Sequence, residues 1–287
     1  MKSVSRYSDL VTTSDAIAQG FVWQVTEKSE RANRILQGLP NLAIEIDHYD
    51  GSTDSLSDEL VAFLLAAAGM SQKSLSHIPK DIQLELISRT IDLDRLFDSR
   101  YQDELIRRAL LTHGDSLGGE MRNVVGQRAQ QLLSDAILNA LEHSGLKPQA
   151  KRSKQGKITT IDWPGRQIIF DKKPRFIGKS IDLILLNDPS GIEKPSAFLA
   201  CGELKGGIDP AGADEHWKTA RSAFERIRDA FSGRGLSSPK LFFIGSAIED
   251  AMAKEIFDQL SDGSLEAAAN LNYSKQLTEA ISKLISL

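Results

Sequence analysis

The chain has 287 residues, 41% hydrophobic and 26% charged, enough to bury a full core as one large domain or two unequal lobes. A single cysteine excludes an internal disulfide, and five scattered histidines give no zinc-ligand spacing. The opening MKSVSRYSDLV lacks the apolar core of a signal peptide, and no run approaches the ~18 apolar residues of a membrane span, so a soluble, cytoplasmic protein is expected.

In chain order, the first half predicts helices. Apolar residues recur at helical spacing over 16–39, over 60–68 behind the cap candidates Ser55 and Ser57, over 82–91, over 103–111, and in a long helix from about Met121 to His143 that stops at Gly145. Glu45 and Asp47 alternate as on a short strand, although a solvated acidic turn with Asp50 and Asp54 reads better. A basic, polar link follows from Lys147 to Gly156. Beyond it the pattern changes to period two and short apolar runs: a hairpin of 157–163 and 166–170 around Pro164-Gly165, buried-type strands over 180–186 and 197–204, a helix over 214–231, a strand over 240–248 and two closing helices. The expected architecture is mainly helical before about residue 145 and mixed α/β after it.

Charge follows the same division. The net value of −4 argues against a protein that coats nucleic acid, yet residues 147–182 hold ten Lys/Arg against three acids, +7 in a chain whose remainder carries −11. One basic face on an acidic body suits a protein that grips a polyanion at one place, with a solvated lysine-rich loop as the alternative.

Asp182 interrupts the run Ile-Asp-Leu-Ile-Leu-Leu, where an unpaired buried carboxylate would be costly and so needs a cation or a hydrogen-bond donor. The next strand ends in Glu203-Leu204-Lys205, whose alternation puts Glu203 and Lys205 on one face. Two carboxylates and an ammonium on neighbouring strands suit phosphodiester hydrolysis with Mg²⁺, the lysine orienting the attacking water and countering developing charge. The spacing alone leaves a structural salt bridge equally open. Gly206-Gly207 then allow a close backbone approach to a ligand, Asp209-Pro210 reads as cap and first residue of a helix, and His216 sits near the start of that helix, either facing the cleft or simply packed. Trp217 reads as core, and Cys201 as a packing residue rather than a nucleophile.

The segment GELKGGIDPAGADEHWKTA at 202–220, GDSLGGEMRN at 114–123 with Gly126 and Ala129-Gln130, and FIGSAIE at 243–249 with Asn270-Leu271 resemble the AvaI/BsoBI family of type II restriction endonucleases, from about residue 55 onward. That resemblance implies a PD-(D/E)XK restriction-endonuclease-like mixed sheet flanked by helices, divided into a mainly helical DNA-embracing lobe over 1–112 and a catalytic core over 113–287. It implies a homodimer around double-stranded DNA and Mg²⁺-dependent cuts at a short palindrome, CYCGRG, leaving 5′ overhangs. A cognate DNA methyltransferase would act in the same system without a stable complex. By motif, Asp182 and Glu203 are the metal-binding acids, Lys205 the catalytic lysine and His216 the assistant of the attacking water. Lys179 would contact phosphate, Asp209 and Lys73 would read base edges, and Arg122 would contact phosphate or the dimer partner. A repair or recombination nuclease of the same superfamily, or a non-cleaving DNA-binding relative, is the alternative.

Overall fold

The computed structural model describes residues 3–287, with only the backbone described at positions 43, 47 and 54, so the acidic-turn reading of Asp47 and Asp54 lies outside the described side chains. In order, the helical half contains α1 (Ser14–Gln37), α2 (Leu42–Asp47), α3 (Asp58–Ala67), α4 (Gln72–Leu75), α5 (Lys80–Thr90) and α6 (Ser99–His143). Ser57 caps α3, its hydroxyl accepting from Leu60 N at 3.1 Å while donating to the Glu45 carboxylate. The Glu45 segment is thus a short helix, neither strand nor turn. The two helices expected over 103–111 and from Met121 are one element: α6 runs 45 residues without a break through Gly114, Gly118 and Gly119. A helical glycine costs about 1 kcal/mol against alanine but keeps the φ/ψ of its neighbours, so it weakens a helix without having to end it.

The second half comprises β1 (Gln149–Arg152), β2 (Ile158–Trp163), β3 (Arg166–Lys172), β4 (Ile181–Leu186), β5 (Phe198–Lys205), α7 (Ala213–Ser232), β6 (Lys240–Gly245), α8 (Asp250–Ser261), β7 (Ala267–Asn270) and α9 (Ser274–Ile285). The seven strands form one sheet in sequence order. β1 to β5 are antiparallel, and β5–β6–β7 are parallel, the two crossovers being α7 and α8. The hairpin falls where Pro164-Gly165 placed it, with Gly165 at φ 71°. β1 lies inside the expected polar link, and β7 was not anticipated.

Alternation along the central strands divides two cores. Ile184, Leu186, Cys201, Leu241 and Phe243 pack with Trp217, Phe224 and Ile227 of α7 and Met252, Ala253 and Ile256 of α8. Leu183, Leu185, Ala200, Phe242 and Ile244 pack on the other side with Leu133, Ile137 and Leu141 of α6 and Leu277, Ile281 and Leu284 of α9. A third core, including Leu60, Leu64, Ile87, Leu96 and Leu105, belongs to the helical half.

By its internal contacts the chain forms two units: residues up to Val22 with Val124–Leu287, and Trp23–Asn123. One division falls inside α6, and the first residues go with the sheet. Leu10 is wholly buried in the α7–α8 core. Thr12 donates its backbone N–H to Ile248 O (2.9 Å) and its hydroxyl to Ser246 O (2.9 Å), and Asn270 Nδ2 donates to Thr12 Oγ1 (2.7 Å) and Leu10 O (3.0 Å). The FIGSAIE segment and Asn270 therefore anchor this strap. Among the described residues no helix is long and apolar enough to cross a membrane.

Candidate active site

The β4–β5 register pairs Leu183 with Gly202, which sets Asp182 opposite Glu203 on the sheet face covered by α7. Like charges directly opposite each other across strands destabilise a sheet, so this pair requires compensation. Asp182 Oδ2 accepts from Leu204 N at 2.8 Å, extending the ladder by a side chain. Lys205 Nζ lies 2.8 Å from Glu203 Oε2 and 3.7 Å from Asp182 Oδ2. The donor and the cation that the buried-strand pattern required are both present.

Compensation is incomplete. Glu203 is 6% exposed, and burial followed by the Asp182 charge pushes its carboxyl up to about 7, against the opposing pull of Lys205 and Arg226. Burial works against the Lys205 ammonium, but Glu203 and Asp182 outweigh it and hold its pKa above the usual lysine value. The result is an acid pair short of positive charge beside a lysine that stays protonated.

After β5 the chain is crowded. A Cβ on Gly206 would lie 2.6 Å from Ala129 Cβ and 2.9 Å from Val125 O of α6, and one on Gly207 would lie 2.7 Å from His216 Nε2. These glycines are therefore required by the protein's own packing against α6 and His216, whereas the sequence had assigned them to a ligand. Asp209 accepts from Ala211 N at 3.0 Å and caps the 3₁₀ turn Pro210–Gly212 that leads into α7, with Pro210 in the expected first position. Asp209 is exposed. His216, in the first turn of α7, is half-buried; burial first and the Lys205 charge second lower its pKa, so its imidazole is neutral at pH 7.

Lys179, Asp182, Glu203 and Lys205 line one cleft together with Lys218, Ser222 and Arg226 of α7. Arg226 went unremarked in the sequence, where a cation on an amphipathic helix reads as solvated. Lys73 on α4 and Arg122 on α6 are exposed side chains of the Trp23–Asn123 unit. Trp217 is buried, stacks edge-on against Phe243 at 5.2 Å and donates to Glu255 Oε2 at 2.7 Å. Cys201 is fully buried, its thiol pKa pushed up by burial and by Glu203, which fits packing and not nucleophilic chemistry.

Among known proteins, a family model described as restriction endonuclease BsobI matches residues 1–163 and 155–287. The chain is 37% identical over 307 aligned residues to type II restriction enzyme BsoBI of Geobacillus stearothermophilus, covering 96% of this chain and 94% of that one. It is 35% identical over 305 residues to type II restriction enzyme AvaI of Nostoc sp. and of Anabaena variabilis, covering 97% of this chain and 96% of each of those. The likeness thus includes the amino-terminal residues, beyond the stretch from about 55 in which the motifs stand out.

Proposed function

Because the chain belongs to the BsoBI family of type II restriction endonucleases and is a site-specific deoxyribonuclease, we propose that its chemistry is carried by Asp182, Glu203, Lys205 and His216 in a PD-(D/E)XK arrangement. The observation that carries this reading is the acid pair, one residue on each of two adjacent strands, with Lys205 Nζ 2.8 Å from Glu203 and 3.7 Å from Asp182.

The acid pair fits Mg²⁺. Among the described residues no third His, Cys, Asp or Glu joins the two carboxylates, and Mg²⁺ characteristically takes one or two carboxylates together with substrate phosphate oxygens and water. A cation there would also favour the ionised form of Glu203, which burial and Asp182 oppose. When bound, Mg²⁺ supplies Lewis-acid polarisation of the phosphoryl oxygen. Asp182 and Glu203 would hold it. The Lys205 ammonium orients the attacking water and stabilises the negative charge that grows on the phosphate. His216, neutral at pH 7, accepts the proton that the water gives up.

The DNA contacts follow the same proposal. Lys179, in the cleft beside Asp182, takes a phosphate; Asp209 accepts from cytosine N4 and Lys73 donates to guanine, while Arg122 contacts phosphate or a second subunit. The target is CYCGRG, cut to leave 5′ overhangs, with the helical lobe embracing double-stranded DNA and a methyltransferase protecting the same site in the cell. A homodimer is supported by α1, which buries none of its residues and leaves Val25 and Leu36 exposed along one face.

Plasmid DNA with mapped CYCGRG sites tests the reading. Mg²⁺ should give discrete bands whose sequenced ends fall within CYCGRG, and EDTA, Asp182→Ala or Asp182→Asn should give none. The same bands from both Asp182 variants would remove that residue from the chemistry, and ends at another sequence would overturn the target.

A further inference from the structure

The stripe of α7 that faces the acid pair presents Lys218, Ser222 and Arg226, one turn apart in succession, across the cleft from Asp182, Glu203 and Lys205. Two of the cleft's lysines are engaged, Lys205 with both carboxylates and Lys218 with Asp214 at 2.6 Å. Arg226 differs. None of the described residues forms an ion pair or a hydrogen bond with it, and its Nε is buried without an acceptor. Arg226 is half-buried, and of the five N–H donors in its planar fork the buried Nε–H left unpaired is a cost to the free protein that an incoming acceptor removes. The acceptor must be anionic, must come from outside the chain and must reach the cleft that holds the acid pair. The DNA backbone meets all three conditions, and a phosphate matches the guanidinium fork two oxygens to two N–H groups.

We propose that Arg226, with the Ser222 hydroxyl one turn before it, is a clamp for a backbone phosphate of the DNA strand being cut, beside the phosphodiester that Asp182 and Glu203 address. This inference rests on the assignment of those two acids to cleavage. The clamp fixes the strand along α7, and its charge, close enough to Glu203 to favour the carboxylate, stays in the cleft as the substrate enters. Arg226 is thereby a DNA-positioning residue on the side of the cleft opposite the carboxylates, contributed by a helix on which the sequence singles out His216 and Trp217.

The test measures binding of a duplex carrying a mapped cleavage site, with Ca²⁺ in place of Mg²⁺, between about 50 and 200 mM salt. Arg226→Met keeps the apolar stem and Arg226→Gln keeps polarity; melting curves establish that each is folded. Affinity should fall roughly tenfold to a hundredfold. The slope of log affinity against log salt should become shallower by about 0.9 for each phosphate that the protein no longer neutralises, an effect that a purely structural residue does not produce. Lys275→Gln removes the same charge from α9, on the other face of the sheet, and should leave the slope as in the unaltered protein. An unchanged slope in the folded Arg226 variants, an equal change in Lys275→Gln, or failure of both Arg226 variants to fold would overturn the clamp. If instead the acid pair has been misassigned, Asp182→Ala cuts normally whatever the Arg226 variants do, so the two failures are distinct.

Discussion

At the end of β5 the backbone has no room for a side chain beyond glycine, whereas in the middle of α6 it has room to spare. A Cβ on Gly206 meets Ala129 Cβ and a backbone carbonyl inside 3 Å, but among the described residues one on Gly114 or Gly118 meets nothing within 4 Å, and one on Gly119 only the Arg122 guanidinium at 3.7 Å. Both segments stand out in the sequence as paired glycines inside conspicuous motifs. One pair is consumed by internal packing that holds the site's strand against α6 and His216. The other leaves α6 weaker than alanine would, and among the described residues no packing contact supplies a reason for it. Glycines that look alike in sequence therefore report opposite things about the space around them.

The largest effect that sharpens this contrast should come from the charge in the crowded segment. The folded-state Glu203 carboxyl titrates at about 7 against an ordinary 4.5. The folded protein thus holds a proton that the unfolded chain releases, and stability falls as pH rises from about 4.5 to 7 and stays low above that. Glu203→Gln removes this penalty. Without metal at pH 8 the variant should be more stable than the unaltered protein by on the order of 3 kcal/mol in urea unfolding, with the difference vanishing near pH 4.5. Equal stability at pH 8 would mean that the acid pair carries no such cost.

Gly206→Ala should come next, losing about 1–3 kcal/mol, because the carbonyl of Val125 cannot rotate out of the way. A neutral result in the same unfolding experiment would break the claim of crowding. The smallest effect is expected in α6, where Gly118→Ala should gain about 0.5–1 kcal/mol. A loss there would reveal a packing partner and erase the difference between the two segments.

The sequence made legible whatever has a local cause. The hairpin at Pro164-Gly165, the Ser57 cap, the buried Trp217 and the acids and lysine at two strand ends all follow from turn chemistry or alternation within a few residues. The misses have physical reasons too. β1 is four exposed polar residues that act as a strand only by pairing with β2, and β7 is Ala-Ala-Ala-Asn, short and without the β-branched residues that mark strands. The two helices expected over 103–111 and from Met121 are one, because the glycines between them do not interrupt it. Arg226 acquires meaning only from what lies across the cleft, which no spacing along α7 encodes.

The strap at Leu10 and Thr12 adds a consequence in the order of synthesis. Its partners, Ser246, Ile248 and Asn270, lie 234 to 260 residues further along the chain, so the strap waits for residues made long after it. Asp182, Glu203 and Lys205 emerge before α7, and α7 before the strap can close. The unit that holds Asp182, Glu203 and Lys205 is therefore closed by its strap only after Asn270 has left the ribosome, and a chain halted before Ser246 carries the acids without that closure.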